Sequence, residues 1–442
     1  MVENVVTEIA KYVEFSLEFR KRVDAGLKKI YASIDIGTYS IKFVVGEYFN
    51  HKFYVLASHC VNSKGIKKGL IVEPNLVIEA IQEGIQEINE MLGVNVNKVL
   101  VNVPDYQVQF QEVVGSTEVQ ENGVVTALDV NRVIKDSIYN QLREDYELVT
   151  ILPVEYTIDG NKGIRKPIGK SGQKLEIRGI MVSTPKKNIY SVLSVIEGAG
   201  LEVVDIMING LSSYYEIHDD DLDKKDGAVI QLGHETTTIS IFEEGKLVQN
   251  ETLQIGGINV EKDISYVFGT SVFEGRVLKE KFASSHKRFC QLNEIYEVKN
   301  SIGEIVKLNQ LEVSEVVMSR MVEILNLAKK QIRLLSSREI EYIVITGGLT
   351  EIKSFKNLAY EIFGKDVIIY TVTTLGCRDN KYVNAIGMIK YFIDKMESRG
   401  KEVSMFDVET ETALVTPNNK LKKDNVIVNK IFGNFMASKE DK

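Results

Sequence analysis

A short polar turn between two apolar stretches constrains this chain more than any other feature. Residues 30–34 are apolar and run into the turn D-I-G-T at residues 35–38, after which residues 41–45 form a second apolar stretch. Glycine in such a turn lets the backbone approach a phosphate, and successive N–H groups form a nest for an anion. The threonine hydroxyl can donate to a phosphate oxygen, and the aspartate can hold Mg²⁺ through water. The pattern indicates a phosphate-holding turn, although most short turns of this composition only reverse the chain.

Size and composition narrow the class of protein. A chain of 442 residues is too long for one compact core, so two or more domains are expected. The net charge of -8 argues against a protein covered in contacts to nucleic acid. The cysteines Cys60, Cys290 and Cys377 form no close pair, which favours a reducing cytoplasm. No apolar run approaches the roughly 20 residues of a membrane-spanning helix, so any membrane contact is expected to be peripheral.

The elements around the turn predict the opening of a ribonuclease-H-like lobe. Its predicted order is three strands, one helix and a fourth strand, and it is then interrupted by an inserted subdomain of short strands and one helix. The predicted strands are 30–34, 41–45, 53–61, 99–103 and 203–208, and the predicted helices are 73–93, 130–142 in the insertion and 187–198.

A second lobe begins in the same way as the first. The apolar stretch 227–233 leads into a turn that ends at Thr236, and residues 237–242 form the next strand. Two lobes that begin alike suggest an internal duplication, which is far longer than a solenoid repeat. A long helix is predicted over 313–335, where apolar residues share one face.

Two further features follow the long helix. Residues 343–345 form a buried strand that runs into Thr346-Gly347-Gly348, where bare backbone can lie against the sugar and α-phosphate of a nucleotide. Ala385 and Gly387 lie in the last predicted helix, 382–396, and permit a close helix crossing at an interdomain hinge. Each signal is weak alone, but their succession predicts a two-lobed, actin-like α/β fold with a nucleotide between the lobes.

Lys42 adds a signal at the first turn. It lies seven residues after Asp35, the spacing at which actin carries a lysine that contacts phosphate. A solvated strand lysine is an equally good interpretation from sequence alone.

The inserted subdomain makes the resemblance specific. Residues 151–159 read I-L-P-V-E-Y-T-I-D, and residues 163–172 read G-I-R-K-P-I-G-K-S-G. This stretch resembles the FtsA family of bacterial cell-division actin homologues, whose insertion carries P-x-E-Y-x-I-D and G-I-x-x-P-x-G-x-S-G. The similarity covers about residues 30–400 and the tail, with further matches at 210–214, 256–259, 266–270 and 314–320.

The resemblance implies a set of nucleotide-binding residues. ATP with Mg²⁺ is the expected cofactor, and Asp35 is the expected holder of the metal ion. The first loop would supply Asp35, Gly37, Thr38, Tyr39 and Lys42, the second lobe Gly233, Thr236, Gly256, Gly257 and Lys279, and the turn after the long helix Thr346, Gly347 and Gly348.

Departures from the family pattern concentrate in the second phosphate loop. The family reads approximately D-I-G-G-G-T there, whereas residues 231–236 read Q-L-G-H-E-T. Gln231 is neutral and a poorer ligand for a hard cation than aspartate. His234 and Glu235 replace glycines, so their side chains occupy space for a phosphate, and an inward carboxylate would repel a γ-phosphate. Arg276 stands where the family usually has a glutamate for ribose. Together, the changed loop and this departure predict no efficient ATPase and weakened or altered nucleotide binding.

The C-terminal tail carries a second functional pattern. Its apolar residues follow helical spacing with lysines nearby, which is typical of a short amphipathic helix in the headgroup layer of a membrane. Such a helix could instead dock on the protein or on a neighbouring subunit. Gly433 weakens the helix, so avidity in a polymer would be needed for useful binding. The apolar face comprises Val428, Ile431, Phe432, Phe435 and Met436.

The resemblance implies a cell-division adaptor on the cytoplasmic face of the membrane. Such a protein would bind nucleotide, polymerise into actin-like filaments and tether the tubulin homologue FtsZ. Its expected partners are the FtsZ C-terminal peptide, further copies of itself and an anionic membrane surface, with no nucleic acid. Two alternatives stay open: an active ATPase or sugar-kinase-like enzyme on the same fold, and a pilus-assembly actin homologue of the PilM kind that binds a partner peptide.

The expected organisation follows from these patterns. The N-terminal extension fits a helix slightly better than a strand. In the family, the insertion and the small second-lobe subdomain form longitudinal filament contacts. The small subdomain also receives the FtsZ peptide. The predicted segments are the extension 1–29, first lobe 30–103, insertion 104–182, first lobe 183–225, second lobe 226–259, small subdomain 260–312, second lobe 313–378, return to the first lobe 379–400, flexible linker 401–421 and membrane-targeting tail 422–442.

Overall fold

The computed structural model describes residues 29–407, 410, 411 and 414, apart from residues 50, 121, 301 and 402 within that range. The chain divides into two units, one formed by Tyr31–Val403 and the other by Met1–Ile30 with Ser404–Lys442. The predictions for residues 1–28, for most of the linker and for the tail face at Val428, Ile431, Phe432, Phe435 and Met436 lie outside the described residues.

The smaller unit joins residues that are far apart in sequence. The backbone N–H of Ile30 donates to Ser404 Oγ at 3.2 Å, and the N–H of Met405 donates to the carbonyl of Ile30 at 3.1 Å.

The first lobe is built on a five-stranded sheet with the order β11-β6-β1-β2-β3. The central β1 is buried along almost its whole length, with Ile30 and Ile34 on one face and the polar Ser33 and Asp35 buried on the other. Strand β6 runs parallel to β1 and to β11, while β2 and β3 are antiparallel. The strands are β1 Lys29–Ile36, β2 Ser40–Phe49, β3 Lys52–Asn62, β6 Lys98–Val103 and β11 Glu202–Ile208, and a small hairpin is formed by β4 Ile66–Lys67 and β5 Leu70–Ile71.

Helices cover this sheet and cross closely at the position predicted for a hinge. Helix α1 (Pro74–Leu92) starts with proline, which suits the first helical position, and ends at Gly93 in the left-handed conformation. The predicted close crossing at Gly387 is confirmed, because a Cβ there would lie 1.7 Å from the carbonyl oxygen of Ser212. The other helices of this region are α3 Lys186–Gly198, α4 Asn209–Ile217 and α9 Val383–Ser398.

The insertion folds around its own apolar core. Its four-stranded sheet has the order β7-β10-β8-β9, and one helix packs against it. That helix starts with a capping box between Thr126 and Asp129, which satisfies backbone donors at both residues. The elements are β7 Gln109–Glu118, α2 Ala127–Ile138, β8 Tyr146–Ile158, β9 Asn161–Ile164 and β10 Lys174–Pro185.

The second lobe repeats the plan of the first. Its sheet has the order β14-β13-β12-β17-β18, with β12 parallel to β17 and antiparallel to β13. Each sheet therefore has its first meander strand beside the first parallel strand, which agrees with the predicted internal duplication. The strands are β12 Gly227–Leu232, β13 Thr237–Glu243, β14 Lys246–Leu253, β17 Tyr342–Thr346 and β18 Ile368–Ile369.

The long helix of the second lobe buries one face against this sheet. It begins at a capping box between Asn309 and Glu312, three residues earlier than the apolar pattern predicts. The remaining elements are α5 Gly257–Phe268, α6 Val272–Val277, β15 Ile295–Lys299, β16 Ile305–Asn309, α7 Gln310–Leu335 and α8 Phe355–Phe363.

Candidate functional site

A cavity of about 630 Å³ lies between the two lobes. Its walls come from the turns after β1, β6, β12 and β17, which bring together residues from widely separated parts of the sequence. Of the predicted site residues, Gly256 and Thr346 do not line this cavity. Those that line it are Asp35, Gly37, Thr38, Tyr39, Lys42, Gly233, Thr236, Gly257, Lys279, Gly347 and Gly348.

The first loop is compact and carries a buried ion pair. Lys42 Nζ lies 3.3 Å from Asp35 Oδ2, and both side chains are almost fully buried, so Lys42 is not a solvated strand lysine. The N–H of Gly37 donates to the carbonyl of Ser40 at 3.1 Å. A Cβ on Gly37 would lie 2.7 Å from Lys42 Nζ, which explains the glycine. Thr38 Oγ1 accepts the N–H of Gly69, so its hydroxyl hydrogen stays available for an oxygen in the cavity.

The second loop takes its shape from the start of α5. The N–H of Gly257 donates to the carbonyl of Gly233, and the N–H of Ile258 donates to the carbonyl of His234. A Cβ on Gly256 would lie 2.6 Å from the oxygen of Gly233, so Gly256 permits this close approach without lining the cavity. The loop therefore uses two of its carbonyls to cap a helix.

Contacts between the lobes close one side of the cavity. The carboxylate of Glu235 accepts the backbone N–H of Lys68, so this carboxylate is engaged with the opposite lobe. Lys68 Nζ also donates to Gln254 Oε1 at 2.8 Å. We call the set formed by Tyr39 and Lys68 of the first lobe with His234, Glu235, Gln254 and Arg276 of the second lobe the interlobe clasp.

Tyr39 is the aromatic centre of the interlobe clasp. The His234 ring lies 5.1 Å from the Tyr39 ring between centroids, and the Arg276 guanidinium lies 4.4 Å from the Tyr39 centroid. Such aromatic and cation–π contacts each contribute about 0.5–1.5 kcal/mol. Both His234 and Arg276, which depart from the family pattern, thus contact the first lobe.

A buried carboxylate organises the positive charge of the second lobe. Glu261 is 0% exposed and lies 2.6 Å from Lys279 Nζ and 3.0 Å from Arg276. Burial lowers the pKa of His234, and the nearby Lys279 and Arg276 lower it further against the opposing effect of Glu261. His234 is therefore neutral at pH 7, and its 3.6 Å approach to Glu261 is not an ion pair. Lys279, the cation expected to reach a nucleotide, is held by the protein's own carboxylate.

The turn after β17 uses its two glycines differently. Gly347 has a φ of 103°, and a Cβ there would lie 2.4 Å from the carbonyl oxygen of Leu232. Among the described residues, no atom lies within 4 Å of a Cβ placed on Gly348. Gly347 is thus required by the neighbouring strand, and Gly348 leaves open space beside the cavity. Thr346 is fully buried behind them.

A chain of amides connects the two lobes at the base of the cavity, and the sequence interpretation did not identify it. Gln231 Nε2 donates to Asn384 Oδ1 at 3.0 Å, and Asn384 Nδ2 donates to Asn209 Oδ1 at 2.9 Å. Asn102 Nδ2 donates to the same oxygen at 2.9 Å. These directions leave Gln231 with its neutral Oε1 and one N–H, of which only the oxygen can bind a cation.

Asp105 is a further cavity residue that the sequence interpretation missed. It lines the cavity after β6, and its Oδ1 accepts the N–H of Asn209 at 3.0 Å. Burial raises the pKa of Asp105 to about 7; hydrogen bonds from Asn209 oppose this rise, and the charge of Asp35 adds to it. The signal available in the sequence was a polar residue just after an apolar strand, at residues 102–105.

Two structural features are absent from the described residues. Among them, no group of three or more His, Cys, Asp and Glu side chains is arranged to hold a metal ion. Within the same residues, none of the helices has the length and apolar character needed to cross a membrane.

Comparison with protein families identifies the relatives of this chain. A model described as the SHS2 domain inserted in FtsA matches residues 106–183, and a model described as cell division protein FtsA matches residues 228–387. Cell division protein FtsA of Enterococcus hirae is 31% identical over 366 residues, which cover 82% of this chain and 83% of that protein. The Bacillus subtilis (strain 168) protein of the same name is 27% identical, with 85% and 86% covered. The predicted resemblance is confirmed.

Solved structures share the fold at low identity. A chain of the PilM–PilN type IV pilus biogenesis complex aligns with a TM-score of 0.56 at 13% identity, covering 81% of this chain and 97% of that chain. Ethanolamine utilization protein EutJ from Carboxydothermus hydrogenoformans aligns with a TM-score of 0.50 at 16% identity, covering 82% and 89%. The predicted actin-like α/β fold with its inserted subdomain is confirmed, and these likenesses concern the fold alone.

Proposed function

This chain belongs to the FtsA family of cell-division proteins, and from that premise we propose that it is a nucleotide-binding adaptor that polymerises and tethers FtsZ to the cytoplasmic membrane face. The observation that carries the proposal is the contrast within the cleft. The first loop, at residues 35–38, keeps the aspartate, glycine and threonine of a phosphate-holding turn, whereas the second loop is engaged in the interlobe clasp.

In this adaptor, bound nucleotide would stabilise a conformation of the cleft, and its hydrolysis would matter less. A phosphate between the loops would add contacts to a cleft that the interlobe clasp already closes on one side. Hydrolysis needs groups that stabilise developing charge on the phosphate, and the neutral side chain of Gln231 is a poorer ligand for the required cation than an aspartate. The expected outcome is nucleotide binding with slow turnover, with Mg²⁺ held first by Asp35.

Exposed apolar side chains support the expected protein contacts. In the small second-lobe subdomain, apolar side chains that are large and solvent-exposed include Tyr266, Phe273, Leu292, Ile302 and Ile305. An apolar surface of this kind suits an FtsZ C-terminal peptide. The insertion similarly exposes Val114, Leu128 and Tyr139, which suits longitudinal contacts between copies of the chain in a filament.

Membrane tethering would come from the tail at residues 422–442. Its apolar face and neighbouring lysines fit an interfacial helix on anionic lipid. A single short helix binds weakly, so polymerisation would supply the avidity. The tail would place the adaptor peripherally on the inner face of the membrane.

Sedimentation with anionic liposomes tests the adaptor role. FtsZ should pellet with the liposomes in the presence of the full chain and stay in solution when residues 422–442 are removed. Ile431→Glu should act like the deletion because it places a charge on the apolar face, whereas Asn434→Glu, which lies off that face, should preserve most of the pelleting. Equal pelleting of FtsZ with the full and the shortened chain would contradict the proposal.

Two further measurements separate the alternatives. An active ATPase would release phosphate from Mg-ATP at a rate of the order of 1 s⁻¹ or more, the range of ordinary enzymes. A pilus-assembly protein would bind a peptide of a membrane protein in preference to the FtsZ C-terminal peptide. The low-identity likeness to the PilM–PilN complex does not favour that alternative, because it concerns the fold alone.

A further inference from the structure

Asp105 presents a bare carboxylate oxygen at the wall of the cavity. The residue is 7% exposed, and its Oδ1 is fixed on the N–H of Asn209, the first residue of α4. Its Oδ2 is buried and has no hydrogen-bond partner within the described part of the chain. A buried carboxylate oxygen without a donor or a cation is costly, so this atom calls for a ligand that the protein does not supply.

Other carboxylates around the cavity differ from Asp105 in their partners. Asp379 is paired with Lys381 at 3.1 Å, and Glu280 lies 3.7 Å from Lys279. Burial and then the charge of Asp379 raise the pKa of Glu351, and Asp105 is not among the causes of this shift. Asp35 is the carboxylate whose charge acts on Asp105, because the strands that carry them, β1 and β6, are neighbours in the sheet.

The second loop supplies no carboxylate to the same place. Gln231 gives its amide hydrogen to Asn384, and the carboxylate of Glu235 accepts the N–H of Lys68. Negative charge at the phosphate end therefore comes from two residues of the first lobe, Asp35 and Asp105. Lys42 offsets the charge of Asp35 at 3.3 Å, whereas no side-chain cation pairs with Asp105 among the described residues.

We propose that Asp105 is the second carboxylate of a divalent-cation site, and that with Asp35 it holds the Mg²⁺ that accompanies the nucleotide, in place of the acid that position 231 lacks. This inference rests on the proposed nucleotide binding. Magnesium keeps several waters and is commonly bound by one or two carboxylates together with phosphate oxygens. Since the described residues hold no group of three or more His, Cys, Asp and Glu side chains arranged for a metal ion, two carboxylates should bind the cation tightly only together with the nucleotide.

The proposal predicts that the effect of Asp105 on nucleotide affinity changes sign with the metal ion. At pH 8, above the raised pKa of Asp105, and without Mg²⁺, the carboxylate repels the phosphates, so Asp105→Asn should bind nucleotide at least as tightly as the wild type. With Mg²⁺, the carboxylate holds the cation against the phosphates, so Asp105→Asn should lose affinity. A lost metal contact of this kind typically changes metal affinity about 10- to 100-fold.

The test is a titration of the full chain with a fluorescent ADP analogue in EDTA and in excess MgCl₂. The wild type should bind at least about tenfold more tightly in MgCl₂, and Asp105→Asn should reduce this ratio to about twofold or less. Asp226→Asn is the matched control, because Asp226 also accepts a backbone N–H, from Glu244 at 3.1 Å, and does not line the cavity. Its ratio should equal that of the wild type.

Each result decides the matter. Binding of the analogue by Asp105→Asn in EDTA shows that the cleft is folded. If that binding is absent, Asp105→Ser takes its place in the same titration, and the same comparison of MgCl₂-to-EDTA ratios decides. An unchanged MgCl₂-to-EDTA ratio in Asp105→Asn, or a wild-type ratio of one, would overturn the metal role while leaving nucleotide binding intact. No binding by the wild type in either buffer would overturn the proposed function, and this inference with it.

Discussion

Strands β1 and β12 occupy equivalent positions in two sheets that have the same strand order, and a loop follows each of them. The polar groups of these two loops contact different partners. In the first loop the acid Asp35 pairs with Lys42, and Gly37 keeps the backbone close to the cavity. In the second loop the amide of Gln231 pairs with another amide, and Glu235 contacts the opposite lobe. The two sheets thus carry similar turns, of which one keeps the residues expected of a phosphate site and the other contacts the opposite lobe.

The largest effect is expected from filling the first loop. Gly37→Val would place carbon atoms against Lys42 Nζ and the carbonyl of Ser40. Overpacking costs up to about 3 kcal/mol, so the dissociation constant for ADP should rise about a hundredfold. A binding titration measures this change.

The matched substitution in the second loop is His234→Ala. It retains a Cβ at this position and removes only the ring, so ADP affinity should change by about threefold or less. If His234→Ala weakened ADP binding more than Gly37→Val, the second loop and not the first would be the phosphate site.

A smaller effect is expected from rebuilding the second loop. The triple change Gln231→Asp, His234→Gly and Glu235→Gly restores the pattern of the family and frees the loop from the interlobe clasp. Phosphate release from Mg-ATP should rise about tenfold, less than the hundredfold or more that a preorganised charged group can supply. The rise should be tenfold and not a hundredfold because Asn384 presents its Oδ1 to position 231.

The control for this rebuilding is the double change at 234 and 235 alone. It opens the interlobe clasp without adding an acid, so phosphate release should stay near the wild-type rate. Vigorous turnover by the unmodified chain would show that the second loop is catalytic as it stands.

A still smaller effect is expected at the centre of the interlobe clasp. Tyr39→Ala removes the contacts with the His234 ring and the Arg276 guanidinium, which together contribute at least about 1 kcal/mol. Hydrogen exchange of the β4–β5 hairpin at residues 66–71 should then become about fivefold faster, because opening of the lobes exposes it. Bound ADP should slow the exchange again.

Tyr106→Ala provides the comparison for this measurement. Tyr106 also belongs to the first lobe and lines the cavity, but it lies outside the interlobe clasp. Exchange in the same hairpin should be unchanged. Equal acceleration in both variants would mean that any loss of a tyrosine loosens the lobe and that the clasp does not hold the cleft closed.

Local sequence patterns predicted the elements and the position of the turn at residues 35–38 because their causes are local. The apolar run at 30–34 lies inside β1, and the helix predicted over 187–198 is α3 with one more residue. The start of α7 was placed late because Asn309 and Glu312 form a capping box that the apolar face does not reveal.

Local sequence patterns could not predict the contacts of the second loop. Glu235 was expected to repel a γ-phosphate if it faced inward, but its carboxylate meets the N–H of Lys68, which is 167 positions away in sequence. Asp105 was missed for a similar reason, since its environment depends on Asn209 and on burial within the cleft. The side chain's direction in each case depends on how distant elements pack.

The smallest effect tests why the second loop carries an amide. Gln231→Leu removes the donor to Asn384 Oδ1, a buried acceptor, at a cost of about 1–2 kcal/mol. The thermal unfolding midpoint should fall by about 2–8 °C, whereas Gln254→Leu, which loses an exposed hydrogen bond to Lys68, should shift it little. Gln231→Asp should lower the midpoint further than Gln231→Leu, because it sets a negative charge against the same oxygen. If Gln231→Asp were instead as stable as the wild type, the amide chain would not explain the missing acid.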